Sequence, residues 1–284
     1  MLDMVAFYEV RAAVVAPAVQ NTAGLADQHV TVLGDNITVP SQCSKIYGVY
    51  WGSGVTAVAV PTTFALISSP SLRATSLLEL SNIDTQVGVV ATEYPGSISL
   101  PLGGVIPYND FKEAPIQLVP GEALQCLSGT QAASAAEDNR VIVFLTDGNI
   151  GPMPAGVRIE SLAADAVAPA VANAWSATAI IFRQALRAGT YAVVGMRASG
   201  QSMTAARLVF GNQGARPGTI ATSGGAAYVG QFIQRDFADG LFRYGRSGIW
   251  GTFTHTNPPT VEVFCSVADA AANMHFILDV IKIG

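Results

Sequence analysis

The chain has 284 residues, of which 50% are apolar and only 12% charged, with a net charge of −5 at neutral pH. That is about half the charged fraction of an average soluble domain, and high apolar content with low net charge excludes an intrinsically disordered chain. A membrane-spanning helix is also excluded: residues 12–19 are interrupted by Pro17 and residues 162–182 by Asp165, Pro169, Asn173, Ser176 and Thr178, whereas a span needs about 20 consecutive apolar residues.

A folded monomer of 29.5 kDa exposes about 11,500 Å² by the scaling of surface with mass. The 35 charged side chains then stand about one per 330 Å², which is sparse for a free-standing protein and points to burial against other chains. Cys43, Cys126 and Cys265 form neither a paired framework nor a CxxC motif, and Met1-Leu2-Asp3-Met4 lacks the basic segment that opens a secretory signal. Folding in a reducing cytoplasm is the expectation.

In chain order, residues 1–19 come first, apolar apart from Asp3, Glu9 and Arg11, and read either as an arm reaching a neighbour or as a first barrel strand. Short runs rich in Val, Ile, Thr, Phe and Tyr follow, bounded by Gly and Pro, which is the pattern of an all-β sandwich or barrel. Candidate strands are 37–39, 45–51, 56–60, 63–67, 76–80, 86–91, 116–119, 123–127 and 141–146, with Asp147-Gly148 as a turn. The second half offers 179–184, 190–197, 204–210, 227–232, 249–254, 260–266 and 275–283. Helical composition is confined to Ala-rich patches at 129–139, 161–175 and 267–274, with Pro169 set to break the second.

The chain also echoes itself. Cys126-Leu127-Ser128, an Ala-rich stretch and Arg140-Val141-Ile142-Val143-Phe144-Leu145 are answered by Phe264-Cys265-Ser266, an Ala-rich stretch and His275-Phe276-Ile277-Leu278-Asp279-Val280. Earlier, Ile46-Tyr47-Gly48-Val49-Tyr50 followed by Arg73-Ala74-Thr75 is answered by Thr190-Tyr191-Ala192-Val193-Val194 followed by Arg216-Pro217-Gly218-Thr219. The repeat implies two β-domains. Charge divides with it: residues 1–150 hold thirteen acids and five bases, a net −8, and residues 151–284 hold seven acids and ten bases, a net +3. An acidic unit meeting the basic unit of the next copy would give the contact its register.

Catalytic patterns are few. Gly52-Ser53-Gly54-Val55-Thr56-Ala57 fits a dinucleotide fingerprint in letters, but Val58-Ala59-Val60-Pro61 continues as strand rather than as the helix a pyrophosphate needs, so a hairpin turn is the better reading. His29, His255 and His275 are far apart, and neither a nucleophile elbow nor an S-x-x-K motif occurs. Glu137-Asp138, and Asp236 with Asp239, are carboxylate pairs without a calcium loop around them. The cysteines read as small core residues. Arg235, Arg243 and Arg246, interleaved with Phe237, Phe242, Tyr244 and Trp250, form the one basic-aromatic cluster. Arg and aromatics anchor interfaces, so Arg235, Arg243, Arg246 and Trp250 are candidate subunit-interface residues; plain loop packing and nucleic-acid contact are the alternatives, the last opposed by a pI near 5.1.

With Gly189-Thr190-Tyr191-Ala192-Val193-Val194-Gly195-Met196-Arg197, Arg216-Pro217-Gly218 and an Ala-rich patch before the closing strand of each half, the chain resembles the double jelly-roll major capsid proteins of tailless icosahedral viruses and bacteriophages, many of them membrane-containing. The resemblance covers residues 26–284. It implies an all-β fold of two tandem eight-stranded jelly-roll barrels with a few short helices. The corresponding division is an arm at 1–25, a first jelly roll at 26–155, a linker at 156–175 and a second jelly roll at 176–284. It further implies a non-enzymatic structural protein without cofactor or metal, made in the host cytoplasm and residing in the virion as pseudo-hexameric homotrimers. Its partners would be neighbouring capsomers, penton or minor capsid proteins and an internal lipid membrane, with no specific nucleic-acid binding. A β-sandwich module binding carbohydrate or a receptor is the alternative, and a jelly-roll enzyme a weaker one.

Overall fold

The computed structural model describes residues 2–11, 18–19, 22–23, 32–33, 36–55, 63–74, 77–81, 108–111, 114–130, 137–148, 156–172, 174–200, 203–211, 213–220, 249–265 and 268–284. The chain divides into two compact units: one is centred on Met4–Asp147, and the other takes in Met1–Asp3, Gly148–Gly224 and Gly230–Gly284.

The first unit contains β1 (Leu2–Arg11) from Met4 onward, β2 (Ala18–Val19), β3 (Thr22–Ala23), β4 (Val32–Leu33), β5 (Asn36–Thr38), β6 (Lys45–Val55), β7 (Thr63–Ser68), β8 (Leu78–Ser81), β9 (Tyr108–Asp110), β10 (Ile116–Gln117), β11 (Ala123–Thr130) and β12 (Glu137–Thr146). One sheet runs β10-β6-β12-β1-β3, with β9 also on β6, and the other runs β4-β5-β11-β7-β8, with β2 on β11. The residues that interleave along these strands are the apolar ones. Val141, Val143 and Leu145 of β12 join Val5, Phe7, Ile46 and Val49 from the same sheet and Ile37, Ile67, Leu124 and Cys126 from the other in one buried cluster. Alternate residues of two facing sheets thus make the core.

The second unit contains β13 (Ile159–Ala166), β14 (Trp175–Thr178), β15 (Ile180–Phe182), β16 (Thr190–Ser199), β17 (Met203–Val209), β18 (Gly218–Ile220), β19 (Gly251–Thr254), β20 (Thr260–Cys265) and β21 (His275–Lys282). Its sheets run β15-β13-β21-β16-β19 and β14-β20-β17-β18. Phe276, Leu278 and Val280 on β21, and Val261, Val263 and Cys265 on β20, are the buried alternate rows.

Both units have one topology. Count β1, β5, β6, β7, β8, β9 with β10, β11 and β12 as eight successive strands in the first, and β13, β14, β16, β17, β18, β19, β20 and β21 in the second. Each unit then has a sheet in the order 1-8-3-6 and a sheet in the order 2-7-4-5, which is a jelly roll. The protein is all-β, two jelly rolls in tandem.

The likeness extends to an irregularity. The pairing of β12 with β6 slips between Phe144 and Leu145, leaving Tyr47 as the extra residue on strand 3; the pairing of β21 with β16 slips between Val193 and Gly195, leaving Val194 extra on strand 3. The two bulges superpose Phe144-Leu145 on Asp279-Val280, as the closing-strand echo in the sequence expects, and Gly48 on Gly195. The strand-3 echo is therefore displaced by three residues from its expected alignment. Tyr47 matches Tyr191 by letter, whereas the backbone matches Tyr47 with Val194.

Two Ala-rich patches depart from expectation. None of the described residues of 161–175 is helical: 161–166 belong to β13 and Trp175 opens β14. Among the described residues of 267–274 there is a single turn of 3-10 helix, Ala271–Asn273. Of the third patch, residues 131–136 lie outside the described residues, as do the candidate strands 56–60, 86–91 and 227–232. Among the described residues no helix is long and apolar enough to cross a membrane.

Candidate functional site

Of the four residues the sequence offers as an interface, Arg235, Arg243 and Arg246 lie outside the described residues. Trp250 is described and is 3% exposed. Its backbone N–H donates to Val193 O at 2.8 Å, and its carbonyl accepts from Gln213 Nε2 at 2.8 Å. Its side chain is thus buried in the isolated chain. The three cysteines are buried thiols, as small core residues would be. Among the described residues no three His, Cys, Asp or Glu side chains converge as metal ligands.

What sequence reading missed is a set of internal arginine–carboxylate clusters. In the first unit Arg73, between β7 and β8, grips Glu122 just before β11, with Nε–Oε1 at 2.6 Å and Nη2–Oε2 at 3.0 Å. Its Nη2 also donates to Gln117 O at 2.9 Å, and the Val119 N–H donates to Glu122 Oε2 at 2.7 Å. Burial pushes the Glu122 carboxyl up, but the Arg73 guanidinium and the Val119 N–H outweigh it and hold the group below its ordinary value.

The second unit has a counterpart. Arg216, between β17 and β18, places Nη1 2.8 Å and 3.0 Å from the two oxygens of Glu262 on β20. Arg207 on β17 adds Nε–Oε2 at 2.8 Å and lies over the Trp175 ring at 4.0 Å. The backbone N–H of Arg216 reaches Asp3 Oδ1 at 3.3 Å. In both jelly rolls, then, an arginine from the connection between strands 4 and 5 ties down a glutamate at the start of strand 7. On the other sheet Arg197 donates to Asp279 Oδ1 at 2.7 Å and to the Ser161 hydroxyl at 3.0 Å, and that hydroxyl donates to the same carboxylate at 2.5 Å.

A last cluster is exposed. Arg183 forks onto Asp165 at 2.7 and 2.9 Å, and His275 Nδ1 stands 2.7 Å from Asp165 Oδ1. The Arg183 guanidinium, against slight burial and aided by His275, holds Asp165 at about 2. Held low by an arginine, the Glu122 and Asp165 carboxyls are poor bases near neutral pH, and each of the clusters ties separate strands or connections together.

Two surface features remain. Ile181, on the edge strand β15, is 65% exposed, and Val167 and Val171 are also more than half exposed. Edge strands with apolar side chains are ready contact sites. A cavity of about 280 Å³ also opens at the end of the second jelly roll where strand 3 begins and strand 4 ends, lined by residues of Thr190, Phe210–Gly211, Thr252–Thr254 and Asn257–Pro259.

No family model matches this chain, and no curated protein matches it. Among solved structures it is similar to the major capsid protein P2 from bacteriophage PM2, with 8% sequence identity over 100% of this chain and 98% of that chain and a TM-score of 0.30.

Proposed function

We propose that the chain is a non-enzymatic structural protein, a major capsid protein that self-assembles as pseudo-hexameric homotrimers into an icosahedral virion shell. The observation that carries this reading is the repetition of one jelly roll, bulge included, within one chain. Three such chains offer six like-shaped units to a ring, and a contact between the first unit of one copy and the second unit of the next is heterologous, so it closes when the rotation permits. The sparse surface charge supports the same reading, as do the net −8 and +3 of the two halves. Such complementarity sets register more than affinity. Arg235, Arg243 and Arg246 belong to this proposed contact, as do neighbouring capsomers, penton or minor capsid proteins and an internal membrane as partners of the shell.

Solution mass tests it. Light scattering on the purified chain should give a stable species near three times 29.5 kDa, and negative-stain images should show hexagonal particles. A well-behaved monomer at micromolar concentration would overturn the reading. Reversing Arg243 and Arg246 to Glu should weaken the trimer in a salt-dependent way; trimers indifferent to the reversal would remove those residues from the contact.

A further inference from the structure

We propose that the end of the second jelly roll at which strand 3 begins and strand 8 finishes binds a phosphate group. This inference is independent of the shell-building role. The placement of charge carries it. Among the described basic residues of 151–284, Arg183, Arg197, Arg207 and Arg216 are each bonded to an acid. The other three, Arg158, Arg187 and Lys282, are exposed, make no ion pair, and all stand at this one end. Lys282 closes β21, where it pairs with Tyr191 of β16. The Tyr191 hydroxyl in turn donates to the Arg187 carbonyl at 2.8 Å, which ties the turn carrying Arg187 to the same place. Arg158 precedes Ile159, which pairs with Ile281, so it stands on the strand alongside Lys282.

Gly189 brings a histidine to the same point. Its φ is +147°, and a Cβ there would meet Lys282 Cε at 2.5 Å and Nζ at 3.2 Å, so a glycine is what lets the lysine lie across this turn. The Gly189 N–H donates to His255 Nδ1 at 3.2 Å, and the His255 backbone N–H donates to the Gly189 carbonyl at 3.0 Å. With Nδ1 accepting, the neutral imidazole carries its proton on Nε2 and keeps that N–H as a donor. The exposed hydroxyls of Thr254 and Thr256, 3.2 Å apart, flank His255 in the chain. Glu160, across from Val280, is the acid on this part of the ladder. It pairs with none of the cations, and one carboxylate against three of them leaves the end positive. Cations gathered without a countercharge repel one another, and a bound anion relieves the repulsion. A carboxylate brings one charge and two oxygens. A phosphate brings up to two charges and enough oxygens to take an ammonium, a guanidinium and an imidazole N–H together.

The test is an NMR titration of the intact chain with sodium phosphate, run against sodium chloride and sodium acetate at matched ionic strength. The amide signals of Gly189, Thr190 and His255 should shift saturably with phosphate, with a Kd of about 1–10 mM, the range of a small ion at an exposed site. Lys282→Met should weaken binding about tenfold, and Lys282→Met with Arg187→Gln about a hundredfold. Both side chains are exposed, so these variants keep the fold. Arg183→Gln removes a cation already taken by Asp165 and should leave the affinity unchanged. No saturable shift up to about 100 mM phosphate would overturn the proposal. So would acetate binding as well as phosphate, or a double variant that binds like the native chain. A loss in Arg183→Gln equal to that in Lys282→Met would also overturn it, since any surface cation would then serve. Co-sedimentation with phosphatidylglycerol vesicles separates the two sources of the group. Vesicles that carry down the native chain but not the double variant, and release it to inorganic phosphate, assign the group to a lipid headgroup. Phosphate binding without vesicle binding assigns it to free phosphate, and either result supports the site.

Discussion

Replacing Arg73 by Met removes the guanidinium from a carboxylate that has no exposed surface: the two side chains are 33% and 0% exposed. Glu122 loses two charge-assisted hydrogen bonds, at 2.6 and 3.0 Å, and keeps the one from the Val119 N–H at 2.7 Å. Each lost bond is worth about 1.5–3 kcal/mol. The upper end does not apply, because a guanidinium one-third exposed leaves an opening through which water can reach the carboxylate. The expected loss is about 3 kcal/mol, or about 6–12 °C in the melting of a unit of this size. The double variant Arg73→Met/Glu122→Gln should recover most of it, since a neutral amide remains in place of a charge.

The pH dependence has a definite sign. In the native chain the folded-state value of Glu122 is lowered, so its contribution is fully present above the ordinary carboxylate value of about 4.3 and is lost as pH falls through the lowered one. In the Arg73→Met chain the Val119 N–H and Ser69 still favour the charged form but the guanidinium no longer does, so the group sits higher than in the native chain and the variant's penalty is greatest at neutral pH and relieved in acid. Calorimetry at pH 7 and pH 4 should therefore show the gap between native and variant chains narrowing in acid. A shift under about 2 °C at neutral pH, or a gap of equal size at both values, would refute the reasoning.

Asp165 should titrate at about 2 in a carbon-detected NMR series, so what it adds to stability is present above the ordinary value of about 3.9 and is lost as pH falls toward 2; Arg183→Gln should return the midpoint toward that ordinary value, and an unmoved midpoint would exclude Arg183 as the cause. Glu262→Ala strips the carboxylate shared by Arg207 and Arg216, of which Arg207 is 2% exposed, and should cost about 3–5 kcal/mol by urea denaturation, with a loss under about 1 kcal/mol counting against a stabilising role. Gly251→Ala drives a methyl into the Phe210 ring and should cost about 1–3 kcal/mol, read as a lowered melting temperature together with displaced Phe210 ring resonances.

The sequence made the all-β class and the two-fold repetition legible because both are local in origin: short β-branched runs, turn residues and a closing strand whose letters align with its counterpart. The strands it left unread are those decided at a distance. Residues 159–166, Ile-Glu-Ser-Leu-Ala-Ala-Asp-Ala, have helix-forming letters, yet they form β13 because β21 lies alongside, pairing Ile159 with Ile281 and Asp165 with His275. Local propensity gives way where a long-range ladder is on offer. The same holds for the displaced strand-3 echo. A bulge is a property of two strands together, so Tyr47 could be set against Tyr191 by eye although the backbone sets it against Val194.

Charge was legible as a count and not as an arrangement, and this matters most for assembly. Arg73 meets Glu122 across 49 positions, Arg216 meets Glu262 across 46, and Arg207 reaches the same glutamate across 55; nothing local announces such pairs. Of the ten basic residues in 151–284, Arg183, Arg197, Arg207 and Arg216 are each bonded to an acid of their own unit. Those four cannot also serve as the complement to a neighbour's acidic half without giving up the bonds that hold their strands. Whatever electrostatic register the proposed trimer uses must come from the remaining basic residues, among them the exposed Arg158 and Arg187 and the arginines at 235, 243 and 246. Salt should therefore act on the proposed assembly through these, and neutralising Arg183 should leave the salt dependence of any trimer where it was.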